Sequence, residues 1–153
     1  MIAEFCELLV VSGVLGALSV EDARRRVIPN KYLLALVVLW VSSVGVVAWH
    51  RGLHAAWRYG AEGLSAFLLM GLFLLAVAGA YERFCRRQSL GGGDIKLLAV
   101  LALYLGLLPG AACLALACLA AAIFSGATGR RSFPFGPFIS GASLLFLWSN
   151  FLF

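Results

Sequence analysis

Ser89-Leu90-Gly91-Gly92-Gly93-Asp94-Ile95-Lys96 places three glycines and an acid where an apolar run begins. Glycine lets a backbone take positive φ and lets another chain come close. An aspartate here sits at or beside the N-terminus of the following helix, where it is a preferred capping residue. As plain structure, the stretch is a loop and a cap. A second meaning comes from Asp22, which ends another apolar run and, by the charge pattern below, lies on the same side of a membrane.

The membrane follows from composition. With 63% hydrophobic residues among 153 and a mean hydropathy of +0.99, the chain is too apolar for an ordinary soluble domain. A spanning helix needs about 20 apolar residues. Runs at 2–20, 33–49, 62–80, 95–108, 110–127 and 135–153 are read as six spans, the fourth and fifth divided at Pro109-Gly110. Helices are expected because every backbone polar group in lipid must be satisfied within the chain. Nothing alternates with period two, which argues against a membrane barrel. The expected architecture is an all-α, polytopic helix bundle of about six transmembrane helices, one domain over residues 1–153.

The net charge of +5 would suggest nucleic acid in a soluble protein, but its distribution reads as topology. Arg24, Arg25, Arg26 and Lys31 follow span one. Arg83, Arg86, Arg87 and Lys96 lie between spans three and four, and Arg130 and Arg131 precede span six. Only Arg51 and Arg58 fall on the other side. The positive-inside rule then puts the larger group in the cytoplasm and both termini outside, with lipid, not nucleic acid, as the surrounding partner.

Other features receive structural readings. Glu4 and Glu7 stand where a removable signal would carry positive charge. Cys6, Cys85, Cys113 and Cys118 form no Cys-x-x-Cys pair and are read as small apolar residues. His50 and His54 are four apart with no acid or cysteine to complete a metal set, so no metal is expected. Ser12, Gly13, Gly16 and Ala17 give span one a small-residue face suited to close helix packing, and the Ala-rich fifth span suggests a helix buried among others. Tyr81 to Arg87 is expected to lie along the membrane surface. Pro29 should end one helix and let the next restart near Asn30. Pro137 suits a first helical turn.

Two acids at the membrane border, beside backbone irregularities, carry the chemical argument. Ionisable groups there are costly and usually functional. Two carboxyls within reach of one water cannot both ionise easily, so one remains protonated. One can then activate water while the other protonates a departing amine, hydrolysing an amide without metal, cofactor or covalent intermediate. The helix dipole suggests Asp94, at a helix start, as the ionised member and Asp22, at a helix end, as the protonated one.

Gly91-x-Gly93-Asp94 with Lys96 resembles the Gly-x-Gly-Asp motif of the type IV prepilin peptidases, which are membrane aspartyl proteases. Asp22 followed by Ile28-Pro29-Asn30 is similar to that family's first-aspartate block. Pro134-Phe135-Gly136-Pro137-Phe138 resembles its third block. The resemblance covers essentially the whole chain. It implies removal of the short basic leader of a prepilin or pseudopilin, after a glycine, at the cytoplasmic face of a bacterial or archaeal membrane. Asp22 and Asp94 would be the catalytic pair. Gly91, Gly92, Gly93, Lys96, Pro29, Asn30, Pro134, Gly136 and Pro137 would bind substrate or shape the site. Larger members carry a cytoplasmic insertion with paired cysteines, associated with N-methylation. This chain lacks it and is read as a peptidase only, without a cofactor.

Two other readings compete with this one. A presenilin-like intramembrane protease shares Gly-x-Gly-Asp but carries a Pro-Ala-Leu motif absent here. A non-catalytic assembly or transport subunit would need polar groups near mid-membrane, of which these spans have few. Glu21 and Glu82 are candidate acids for holding a basic leader.

Overall fold

The computed structural model describes residues 2–25, 27–85, 91–128 and 135–152. They form six helices: α1 (Ile2–Arg25), α2 (Asn30–Arg51), α3 (Leu53–Cys85), α4 (Gly92–Leu105), α5 (Leu107–Thr128) and α6 (Gly136–Leu152). The fold is an all-α membrane bundle, and no strand occurs among the described residues. Pro134 lies outside the described residues, as do Arg86, Arg87, Arg130 and Arg131.

Local chemistry sets the breaks. Val27 to Pro29 is extended, Pro29 having φ −69° and ψ 135°, and α2 restarts at Asn30 as its sequence suggests. Only Gly52 separates α2 from α3, at φ 86°, a left-handed conformation that glycine adopts without penalty. Gly106 does the same between α4 and α5 at φ 80°, its N–H donated to Ala102 at 2.9 Å. The expected boundary at Pro109-Gly110 is therefore displaced. Pro109 sits inside the first turn of α5, where the missing N–H would have no helical partner anyway. Tyr81 to Cys85 does not turn onto the membrane surface but continues α3. At 1.5 Å per residue this helix is about 50 Å long, well beyond a hydrocarbon core of about 30 Å.

Helices α2, α3 and α5 are long and apolar enough to cross a bilayer, and α6 contributes a shorter apolar segment. α4 is different. Its 14 residues rise only about 21 Å, and nearly all of it from Ile95 to Leu105 is buried. It is the hub of the bundle, and the expected burial of α5 belongs to α4 instead. α5 buries a single stripe, Gly110, Cys113, Ala117 and Ala121, and leaves Leu119 and Ile123 exposed. Its small residues serve close approach to α6, where the Cys113 thiol lies 3.3 Å from the Ser143 hydroxyl.

The seam of α1 runs through Leu8, Val11, Leu15, Leu18 and Asp22, all buried. Their 3-4-3-4 spacing puts them on one face of a helix. The small-residue face expected to pack, by contrast, points outward: a β-carbon added to Gly13 or Gly16 would meet no neighbour within 4 Å. Leucines next door fill that role better, because dispersion grows with contact area and lipid offers small residues nothing to lose. The core that results draws on all six helices, with Leu15, Leu36, Leu97, Leu101 and Ile139 at its centre. The contacts of Asp22 with Gly136 and of Ile28 with Gly93 bring the end of α1 and the starts of α2, α4 and α6 to one end of the bundle.

Candidate functional site

Asp22 is the last member of the α1 seam, so the spacing that buries the leucines also carries a carboxylate into the protein. Only 5% of it is exposed. Its Oδ2 accepts the backbone N–H of Gly136 at 2.9 Å, across 114 residues of chain. Gly136 is the first residue of α6, whose leading N–H groups have no partner within the helix. A carboxylate is a favourable cap there for both hydrogen bonding and the helix dipole. The approach requires glycine: a β-carbon at position 136 would lie 2.6 Å from Oδ2 and 3.0 Å from Cγ.

Asp94 occupies the first turn of α4, before the apolar run that starts at Ile95. Gly91 precedes the helix in an extended conformation (φ −64°, ψ 137°), and its carbonyl receives the N–H groups of Asp94 and Ile95 at 3.0 and 3.2 Å. The Asp94 carboxylate folds back to accept a hydrogen bond from the Gly91 backbone, one half of a capping box. None of the three glycines uses positive φ. Gly93 is needed for proximity: a β-carbon there would lie 3.0 Å from that of Ile28. Gly92 faces open space. Gly93 thus packs against Ile28 of the Ile28-Pro29-Asn30 corner, which ties the start of α4 to the segment joining α1 and α2.

The Asp94 carboxyl senses the Asp22 charge. Burial first, then the Asp22 charge, push the Asp94 carboxyl from its ordinary value up to about 6, against the opposing hydrogen bond from Gly91. At Asp94, desolvation and a like charge outweigh the lowering expected of the helix dipole.

Around this pair, Pro29 is partly buried as the N-cap of α2, while Asn30 and Lys96 are exposed. Pro137 is the second residue of α6, in its first turn. Glu21 is engaged within the chain. The Tyr32 hydroxyl donates to it at 2.6 Å, Lys31 reaches it at 3.3 Å, and Arg25 lies 4.0 Å away. Chiefly through the Tyr32 hydrogen bond, Glu21 is held below the ordinary glutamate range. It staples α1 to α2. Sequence reasoning missed Tyr32 and the Asp22–Gly136 bond. The first left no signal. The second was foreshadowed only by the 3-4-3-4 spacing that ends on Asp22.

An all-α membrane bundle with two aspartates at helix termini defines a class: membrane-embedded proteins that carry carboxyls at one rim of an apolar bundle. A family model described as the type IV leader peptidase family matches residues 9–126, well over half of the chain and including both aspartates. The chain belongs to the type IV leader peptidase family and is a multi-pass membrane protein of peptidase type. Searches of curated proteins and of solved structures returned no match. The matched region stops before Gly136, so the contact between α6 and Asp22 is a contribution of the structure.

Proposed function

We propose that this protein removes the leader of a type IV prepilin-like precursor at the cytoplasmic face of the membrane, by aspartyl hydrolysis, with Asp22 and Asp94 as the catalytic pair. The observation that carries the reading is the coupling of Asp94 to Asp22 at one rim of an apolar bundle. In the competent state Asp94 holds a proton and Asp22 is the base. Asp22 takes a proton from a water, whose oxygen attacks the scissile carbonyl carbon. The C–N bond then breaks as Asp94 gives its proton to the departing amine, leaving a free amino terminus and a leader carboxylate. The leading N–H groups of α4, at Gly92 and Gly93, would steady the carbonyl oxygen as charge develops.

The positive charge concentrated on the Asp22–Asp94 side supports the cytoplasmic placement. We read the chain as a peptidase without N-methyltransferase activity, since no methyl-donor site is recognisable in it. Lys96, Asn30, Pro29 and Pro137 act as scaffold around the reacting groups.

The test is co-expression with a candidate prepilin, following leader removal by gel mobility. Asp22→Asn and Asp94→Asn each preserve size and remove acid–base function. Either should abolish cleavage while the protein stays in the membrane fraction. Processing by both variants would overturn the assignment.

A further inference from the structure

Next to the start of α4, α3 and α4 leave an open trough on the outer surface of the bundle. Its apolar part, about 610 Å³, is lined by Phe67, Leu68, Leu72 and Leu75 of α3 against Ile95 and Val100 of α4. Toward the Asp94 end it runs into a recess of about 320 Å³ lined by Gly79 and Glu82 of α3 and by Gly91 and Gly92. Leu75, Gly92 and Ile95 line both, so the two form one continuous trough. From Phe67 to Glu82 the rise along α3 is about 22 Å, or four helical turns.

We infer that this trough seats the apolar helix of the precursor, and that Glu82 reads the positive charge flanking the cleavage site. The inference rests on the leader-peptidase reading above. Three observations support this occupant over lipid or a second copy. First, the trough ends on Gly91 and Gly92, so a helix lying in it points its end toward the first turn of α4, where Asp94 stands. Second, a β-carbon on Gly79 or Gly92 would meet nothing within 4 Å. Both present bare backbone to open space, the surface that close helix approach in lipid demands. Third, the charges match. The cytoplasmic flank of a membrane helix carries Lys or Arg. Glu82 is exposed and pairs with no cation among the described residues, whereas Glu21 is already held.

Lys96 flanks the apolar part and would attract an anionic headgroup, but Glu82 at the mouth repels one. A second trough of about 570 Å³, between α2 and α3 around Trp40, Trp57 and Leu64, is lined by no charged side chain and does not reach the glycines before Asp94. It supplies no equivalent site.

The test uses the full chain in proteoliposomes of defined zwitterionic and anionic lipid, with a synthetic precursor of basic leader, glycine and apolar helix. A benzophenone amino acid at position 72, in the Asp94→Asn background, should crosslink to the precursor. The same probe at position 123, on the exposed face of α5, should not. Glu82→Gln should raise KM about 2- to 5-fold with kcat unchanged, the range for an exposed charge pair. Glu82→Lys should recover on a precursor whose leader lysines are replaced by glutamate. Gly79→Leu starts from a β-carbon that meets nothing within 4 Å and should raise KM at least tenfold.

Equal labelling from positions 72 and 123 would overturn the docking site, as would adducts at 72 only with lipid or with a second copy. So would indifference of KM to charge reversal. If the wild type cuts the precursor and these arms fail, only the docking site is lost. If it never cuts, the leader-peptidase reading fails, and this inference with it.

Discussion

Gly136 donates its backbone N–H to Asp22 across 114 residues, in a space too small for a β-carbon. This contact ties the start of α6 to the end of α1 and fixes where the Asp22 carboxylate points. Gly136→Ala would force the carboxylate away, because the obstructing atoms include Cγ and Cβ as well as the mobile Oδ2. Prepilin processing should fall at least about 100-fold. Stability should drop by about 1.5–3 kcal/mol, the range for a hydrogen bond to a charged partner. Leader-removal kinetics and thermal unfolding in detergent check the two together.

The glycines of the Gly-x-Gly-Asp stretch should separate by position. Gly93→Ala puts a β-carbon 3.0 Å from that of Ile28, an overpacking that costs about 1–3 kcal/mol. Gly92→Ala meets nothing and gains helix propensity, so unfolding temperature should hold or rise. Combining Gly93→Ala with Ile28→Ala should recover part of the loss, a coupling that a double-mutant cycle on unfolding temperature measures. Equal effects of the two single changes would contradict the packing of Gly93 against Ile28.

The raised Asp94 carboxyl makes a signed prediction. Its folded-state value of about 6 lies above the ordinary aspartate value of 3.8. Its contribution is therefore fully present below about pH 4 and is lost as pH rises through 6. Asp94→Asn, which cannot ionise, should be flat over that window and more stable than the wild type at pH 8. Discounted for the exposed side of the carboxyl, the difference should be about 1–2 kcal/mol. Unfolding midpoints across pH 4–8 test the sign. For activity, the loss of the proton on Asp94 predicts a basic limb of kcat/KM near pH 6, belonging to the coupled pair.

Glu21 should behave oppositely. It is held below the ordinary range, mainly by Tyr32, so its contribution is present at neutral pH and lost as pH falls through the acid range. Tyr32→Phe should bring that acid-side loss to a higher pH without changing how leader charge affects KM. A Glu21→Gln variant that weakened binding of the basic leader would show Glu21 to be a substrate contact.

Much of this protein was legible in the order of residues alone. Apolar run lengths and the absence of period-two alternation fix a helical membrane bundle, because lipid leaves the backbone no other way to satisfy itself. Pro29 fixes the start of α2 by forbidding helix at Ile28. Asp22 and Asp94 stand out as candidates because charge at a membrane border is costly and rarely idle.

Tertiary structure decided what depends on neighbours. Composition alone could not say that the short α4 rather than the Ala-rich α5 is the buried hub, because lipid and protein interior are equally apolar to a side chain. It could not say that Gly93 and Gly136 are glycine for room, not for φ, since that depends on Ile28 and Asp22 lying opposite them. Nor could it give the direction in which Asp94 shifts. The helix dipole is a local property of the chain, whereas the desolvation and like charge that overrule it at Asp94 exist only once distant segments have packed together.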